Sequence, residues 1–319
     1  MKIIFYNTNG IISDTPSNSS FWIQELGGQF SLKEGNNSTE LNFALIALHY
    51  KIADLLLGDR NELMTKILPL KPIWIGEAGI DTESGISKQF FEKLLTKNND
   101  EETHKLLYYY DVGNLIDSLV NLIFESKHIF CEFYRLLNIK DFSIGEPFNP
   151  DSVMMGSGGI TTNIFSTINH IFINLASQLD FITKIAIEVE NIPIDFKTYP
   201  KMKSKNILYG DAKRIKTIDL VDTLFEETDN ARLIISLRNE IIHNSALQKH
   251  SKVYQAYKDG KLIEKFIHIP DSTSGNIDSY KNRNRFFSQG IKLNEILPEL
   301  IIDFWRKMQI TVTKIDALL

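Results

Sequence analysis

The feature that most constrains this chain is long, proline-free helical periodicity. From Glu101 to Ile139 apolar residues recur at helical spacing, through Leu107, Val112, Leu115, Leu119, Leu122, Ile123, Phe130 and Phe133. From Thr161 to Glu190 the pattern runs through Ile164, Ile168, Ile171, Leu175, Leu179, Ile182 and Ile185, and Pro193 ends it. A helix with one apolar stripe has to bury that stripe, and other such helices are its natural partners. Gly113 leaves two forms open for the first stretch, one continuous helix or two joined there. Glu40 to Leu57 (stopped by Gly58), Thr217 to Asn244, and about Leu293 to the end predict further helices. The expected fold class is mainly α.

Strand-like patterning enters at a few places. Lys2–Tyr6 and Gly28–Leu32 read as short strands, and Pro69 to Gly85 reads as loop. Val253–Ile269 carries two strand-like runs on either side of Lys258-Asp259-Gly260-Lys261, which predicts a β-hairpin. Asp141 to Gly159 contains Pro147, Pro150 and four glycines. It is the expected boundary between a mainly helical N-terminal region at 1–150 and a helical domain at 151–319. Gly156-Ser157-Gly158-Gly159 lacks the Lys-Ser/Thr of a P-loop and reads as a flexible lead-in, with Thr161 or Thr162 as N-cap.

Composition narrows function by exclusion. A formal net charge of -5 rules out a uniformly basic nucleic-acid binder and leaves room for a local basic groove. One cysteine, Cys131, makes neither an internal disulfide nor a thiolate zinc site, and it reads as core filler. The chain opens on a strand-like segment rather than a signal peptide. The charge-free run Ser152–Gln178 is interrupted by Asn163, Asn169, Asn174 and the glycines, so a buried helix is expected there and no membrane span. A cytoplasmic protein without membrane contact is the expectation, with no metal and no cofactor.

One segment carries chemistry, Leu237-Arg238-Asn239-Glu240-Ile241-Ile242-His243-Asn244. On an ideal wheel Arg238 shares an apolar stripe with Val221, Leu224, Phe225, Ile235 and Ile242. A guanidinium there needs either a carboxylate in the core or a wet cleft. Asn239 and His243 are four apart and share a ridge, which places Asn239 to orient the imidazole or to share a ligand with it. Arg238 and His243 are five apart, roughly 140° around the helix and about 7.5 Å along it. That spacing suits a site lying along the helix, or one shared by two copies. An imidazole moves protons near neutral pH, and a guanidinium holds phosphate and stabilises charge developing on it. These are the groups that cleavage of RNA by its own 2′-hydroxyl calls for.

Arg238-Asn239-x-x-x-His243 resembles the Arg-(polar)-x-x-x-His signature of HEPN domains, helical bundles found in toxins, phage-defence proteins and RNA-guided effectors. The resemblance covers about Gly159 to Leu319. It implies Arg238 and His243 as catalytic, with Asn239 as their polar support. It implies that Thr161–Glu190 and Thr217–Asn244 pack antiparallel as the spine of the bundle. It further implies RNA as substrate, a 2′,3′-cyclic phosphate product, and a homodimer in which two motifs face each other. A toxin or antiviral role, with an antitoxin or regulatory partner, comes from the same resemblance. The hairpin and the basic connection before the motif helix depart from the simplest bundle.

Two basic patches are candidate RNA-binding surfaces. Lys201, Lys203, Lys205, Lys213 and Arg214 lie near Tyr199 and Tyr209, and Arg283 and Arg285 lie near Phe286 and Phe287. Phosphate contacts with aromatic stacking position single-stranded RNA. The competing expectation is a non-catalytic helical module that binds nucleotide, RNA or a protein. A motif buried in a salt-bridged core favours that module, and an open one favours the nuclease. His49, His104, His128 and His170 lie in apolar helices and read as core or interface residues.

Overall fold

The computed structural model describes residues 3–15, 22–27, 29–32, 37–58, 85–142, 145, 147, 149–244, 247–248, 250–281 and 285–319. Among these, about 54% are helical and 14% are strand, so the protein is mainly α. No helix among the described residues is long and apolar enough to cross a membrane. The loop expected from Pro69 lies outside the described residues up to Gly85. The chain forms two compact units, each assembled from three separate segments.

The first unit comprises Met1–Thr39, Leu122–Ser177 and Glu226–Lys307. Strands β1 (Ile4–Asn7), β2 (Trp22–Leu26) and β3 (Gln29–Leu32) form an antiparallel meander, with Ile4 opposite Glu25 and Ile23 opposite Leu32. The first and third match the expected strands, and β2 was not anticipated. The expected hairpin is present as β5 (Val253–Lys258) and β6 (Lys261–Phe266), turning at Asp259 and Gly260 with positive φ at both. Its other neighbour is β4 (Ser152–Gly156), which pairs Met154 with Gln255 inside the segment read as a boundary. Gly156 is thus a sheet residue rather than part of a flexible lead-in. Nor do the threonines cap the helix that follows: Thr161 Oγ1 donates to the Gly156 carbonyl and Thr162 Oγ1 to that of Gly158.

Buried polar groups tie this unit together. Asn138, near the end of the long helix α3 (Glu101–Ile139), exchanges two 3.0 Å bonds with the Asn7 backbone. The buried Lys265 ammonium donates to the carbonyls of Asn138 and Lys140, at 2.9 and 2.7 Å, and so closes that helix end. Asn294, at the start of the last helix (Leu293–Asp316), accepts from Ile267 N at 3.0 Å and donates to the Thr8 carbonyl at 2.6 Å. Around these ties Phe130, Phe133, Ile164, Ile168, Phe172, Leu297 and Ile301 are fully buried.

The second unit comprises Glu40–Asn121, Gln178–Phe225 and Met308–Leu319. It holds most of α1 (Asn37–Leu57), the short α2 (Lys88–Lys97) and the first part of α3. The later part of α4 (Gly159–Glu190) and a 3-10 helix at Tyr209–Arg214 complete its main elements. Leu41, Leu45, Leu48, Ile52, Val112, Leu119, Leu179 and Ile182 are buried within it. Helix α3 is unbroken at Gly113, where the missing side chain admits the His49 imidazole: an added Cβ would lie 2.7 Å from its Cε1 and Nε2. Buried Glu188 is satisfied by the Tyr108 hydroxyl at 2.8 Å and the Ser204 amide at 2.6 Å. His104 is bonded through Nδ1 to the Phe196 carbonyl at 2.8 Å.

The helix expected from Thr217 begins only at Asp229, as α5 (Asp229–Asn244). Side chains win the backbone before it. Asp219 accepts from Val221 N, the Thr223 hydroxyl is bonded to Leu220 O and Phe225 N, and Asp222 sits at φ 61°. Leu224 N then turns to the Thr311 hydroxyl at 2.9 Å.

Candidate functional site

Helix α5 starts where Thr228 Oγ1 accepts from Ala231 N at 3.3 Å and Asp229 pairs with Arg232 in the first turn. The tight hairpin of β7 (Ser272–Thr273) and β8 (Asn276–Ile277) seats against this end. Gly275, at φ 78°, has to be glycine, because a Cβ would collide with the Asp229 carbonyl. Arg232 Nε completes the seat by donating to Ser274 O at 2.8 Å.

The buried face of α5 is Ala231, Ile234, Leu237 and Ile241. This corrects the expected stripe. Val221 is 65% exposed and lies outside the helix, Ile242 is exposed, and Ile235 is half-buried. Arg238 therefore borders the buried face instead of lying on it, and its guanidinium is half-buried. Among the described residues its hydrogen bond goes to Asn239 Oδ1, at 3.1 Å. Asn239, expected as polar support for both Arg238 and His243, turns its side-chain oxygen to Arg238. Asn239 and His243 are both exposed. Arg238, Asn239 and His243 thus share an accessible helix surface outside the buried core.

Glu240, inside the motif, has a partner that sequence reasoning missed. Arg285 Nε donates to its Oε2 at 2.9 Å, and Asn244 Nδ2 donates to the same oxygen at 3.0 Å. Only 9% of the Arg285 side chain and 19% of that of Glu240 is exposed. The pair joins the motif helix to a segment more than forty residues away, a link that no local spacing rule contains. Arg285 is thereby a near-buried residue paired with Glu240 rather than a fully exposed surface cation. Arg283 lies outside the described residues.

Beside this pair opens a pocket of about 530 Å³, whose described lining belongs to the first unit. Asn244, the last residue of α5, and Gln248 beyond it line one side. His250, Lys252 and Tyr254 line it from the approach to and start of β5, and His268, Arg285 and Phe287 complete the described lining. Tyr254 stacks on Phe266, centroids 5.3 Å apart, and meets His268 edge-on at 4.9 Å. Gln248 Nε2 donates to the His268 carbonyl at 2.8 Å.

The first basic patch belongs to the second unit. Lys201, Lys203, Lys205, Lys213 and Arg214 are exposed there, Arg214 beside Asp211 at 3.1 Å. Its two tyrosines are tied down: the Tyr199 hydroxyl is bonded to Asp111, and that of Tyr209 to the Leu224 carbonyl at 2.6 Å. Cys131 is buried, and burial pushes its thiol up to about 12, which disfavours the thiolate a nucleophile needs. Among the described residues no group of three His, Cys, Asp or Glu side chains is placed to hold a metal ion.

Comparison with known proteins finds no matching family model, no similar curated protein and no similar solved structure.

Proposed function

We propose that the protein is an endoribonuclease of HEPN type, with Arg238, Asn239 and His243 as its catalytic group and a site completed by a second copy of the chain. The observation that carries this reading is the accessibility of the motif. Asn239 and His243 are exposed on α5 and Arg238 is half-buried beside them, bonded to Asn239 rather than to a core carboxylate.

In the proposed step His243 takes the proton of an RNA 2′-hydroxyl as the 2′-oxygen attacks the neighbouring phosphorus. The bond to the 5′-oxygen breaks, and that oxygen leaves with a proton drawn from water while His243 returns its own proton to solvent, so each site needs one imidazole and one guanidinium, which two faced copies supply together. The products are a 2′,3′-cyclic phosphate and a 5′-hydroxyl. Arg238 binds the non-bridging oxygens and offsets the charge that grows on them, while Asn239 holds the guanidinium in place. Lysine at 238 keeps the charge but loses the planar fork, so Arg238→Lys is expected to behave as a loss of function.

The test is cleavage of a labelled single-stranded RNA in excess EDTA. His243→Ala is expected to lower the rate by about 10²–10⁴-fold, the usual contribution of a general acid or base. Equal rates for wild type and variant, or no cleavage of any RNA by the wild type, would overturn the assignment.

A further inference from the structure

The pocket beside Glu240 and Arg285 has a chemistry that the cleavage motif does not use, and Arg238, Asn239 and His243 are not among its described lining residues. Its described wall carries Lys252, Arg285 and two imidazoles, and no carboxylate. Glu240 takes Arg285 at Nε, and among the described residues the two Nη atoms have no acceptor. A guanidinium this far removed from water is stabilised by an acceptor at its open edge. Lys252 adds a second positive charge within the same pocket.

Aromatic surface lies beside the cations. The ring of Tyr254 packs in a mutual cluster with Phe266 and His268, and Phe287 is 41% exposed. A bare anion would leave these rings idle, and an apolar ligand would bury the cations without a partner. A nucleotide satisfies both, its phosphate meeting the cations and its base lying on a ring. The volume, about 530 Å³, falls within the roughly 300–1,000 Å³ of small-molecule sites.

We infer that this pocket binds a single nucleotide, with the phosphate on Arg285 and Lys252 and the base against Phe287 or Tyr254. The inference does not depend on cleavage at the motif. The nucleotide has two sources, a free nucleoside monophosphate or one residue of an RNA strand.

Calorimetric titration of the full chain with AMP and UMP tests it, with the nucleosides and inorganic phosphate as controls. At least one monophosphate is expected to bind, with its nucleoside and phosphate at least about tenfold weaker. Lys252→Ala and Phe287→Ala remove one half-buried and one exposed side chain, and far-UV dichroism checks that both variants fold. Each is expected to weaken monophosphate binding by about tenfold. His243→Ala is expected to bind as wild type does, which separates this proposal from the cleavage one. Displacement of the monophosphate by single-stranded RNA would assign the pocket to a strand, and its absence to a free nucleotide; nucleotide recognition stands in both cases. Binding of neither monophosphate overturns the proposal, as does phosphate binding as tightly as the monophosphate, or wild-type affinity in both pocket variants.

Discussion

At the scale of single residues, Gly113 shows how one missing side chain settles a packing choice. Glycine inside a helix is less favourable than alanine by about 1 kcal/mol, so Gly113→Ala ought to stabilise α3. The His49 ring reverses the sign. It is stacked on Tyr109 at 4.2 Å, bonded through Nε2 to the Tyr109 carbonyl at 3.3 Å, and 2.7 Å from the position an added Cβ would take. Burial also holds the imidazole below its usual range, towards the neutral form. Overpacking of this kind costs about 1–3 kcal/mol, which exceeds the helix gain. Gly113→Ala is therefore expected to destabilise by roughly 1 kcal/mol in urea unfolding. In a His49→Ala background the same change is expected to stabilise by up to about 1 kcal/mol. The same sign in both backgrounds would refute the packing account. The sequence makes Gly113 visible as a place where a helix is free to bend. It does not contain the imidazole from α1 that uses the gap, because that contact joins residues more than sixty positions apart. Glu240 and Arg285 pose the same difficulty: each is conspicuous alone, and only folding makes them a pair.

At the scale of elements, the long helices and the Asp-Gly hairpin were legible because their signals are periodic and local. The start of α5 was not. Asp219, Asp222 and Thr223 fit a helical wheel by position, yet the side chains of Asp219 and Thr223 bond the nearby backbone and Asp222 takes a positive φ, so the segment does not coil. The segment after β8 depends on a similar local device. Asp271 accepts from Ser288 N at 2.7 Å, Ser288 Oγ at 2.6 Å and Gln289 N at 3.0 Å, and its own amide donates to Phe286 O at 2.8 Å. Burial acts to raise the carboxyl, but the bonds from Ser288 and Gln289 outweigh it and hold the group below its usual range. The sign of the linkage follows. A depressed carboxyl contributes stability above its unfolded value, near 3.9, and that contribution disappears as pH falls through the folded value. Asp271→Asn is expected to unfold at lower urea than wild type at neutral pH, and the gap should narrow as the pH falls below about 4. A gap that stays constant down to acid pH would show that the charge of Asp271 is not what holds Ser288 and Gln289. The strand β4 was hidden for another reason: its one glycine, Gly156, reads as part of a glycine-rich linker until it is seen opposite Val253.

At the scale of the whole molecule, each compact unit takes an early, a middle and a late segment of the chain, so neither is a continuous stretch that composition would delimit. The motif belongs to the first unit and the exposed lysine patch to the second. The proposed activity adds another scale, because one copy of the motif offers one arginine and one histidine, five residues apart and about 7.5 Å apart along the axis. A site of two faced copies makes a prediction that a one-chain site does not. Arg238→Ala retains His243, and His243→Ala retains Arg238, so each variant alone is expected to be inactive. Mixed in equal amounts and allowed to exchange, half of the dimers carry one chain of each kind. If the arginine of one copy works with the histidine of the other, each mixed dimer has one complete site and one empty one, and the mixture recovers about a quarter of the wild-type rate. If arginine and histidine act within one chain, mixing recovers nothing, since no chain carries both. If the protein does not associate, the mixture is equally inactive and wild-type specific activity does not change on dilution. A dimeric site loses specific activity once dilution separates the copies. Rate recovery on mixing together with loss on dilution is the expected result, and their joint failure would remove the second copy from the mechanism.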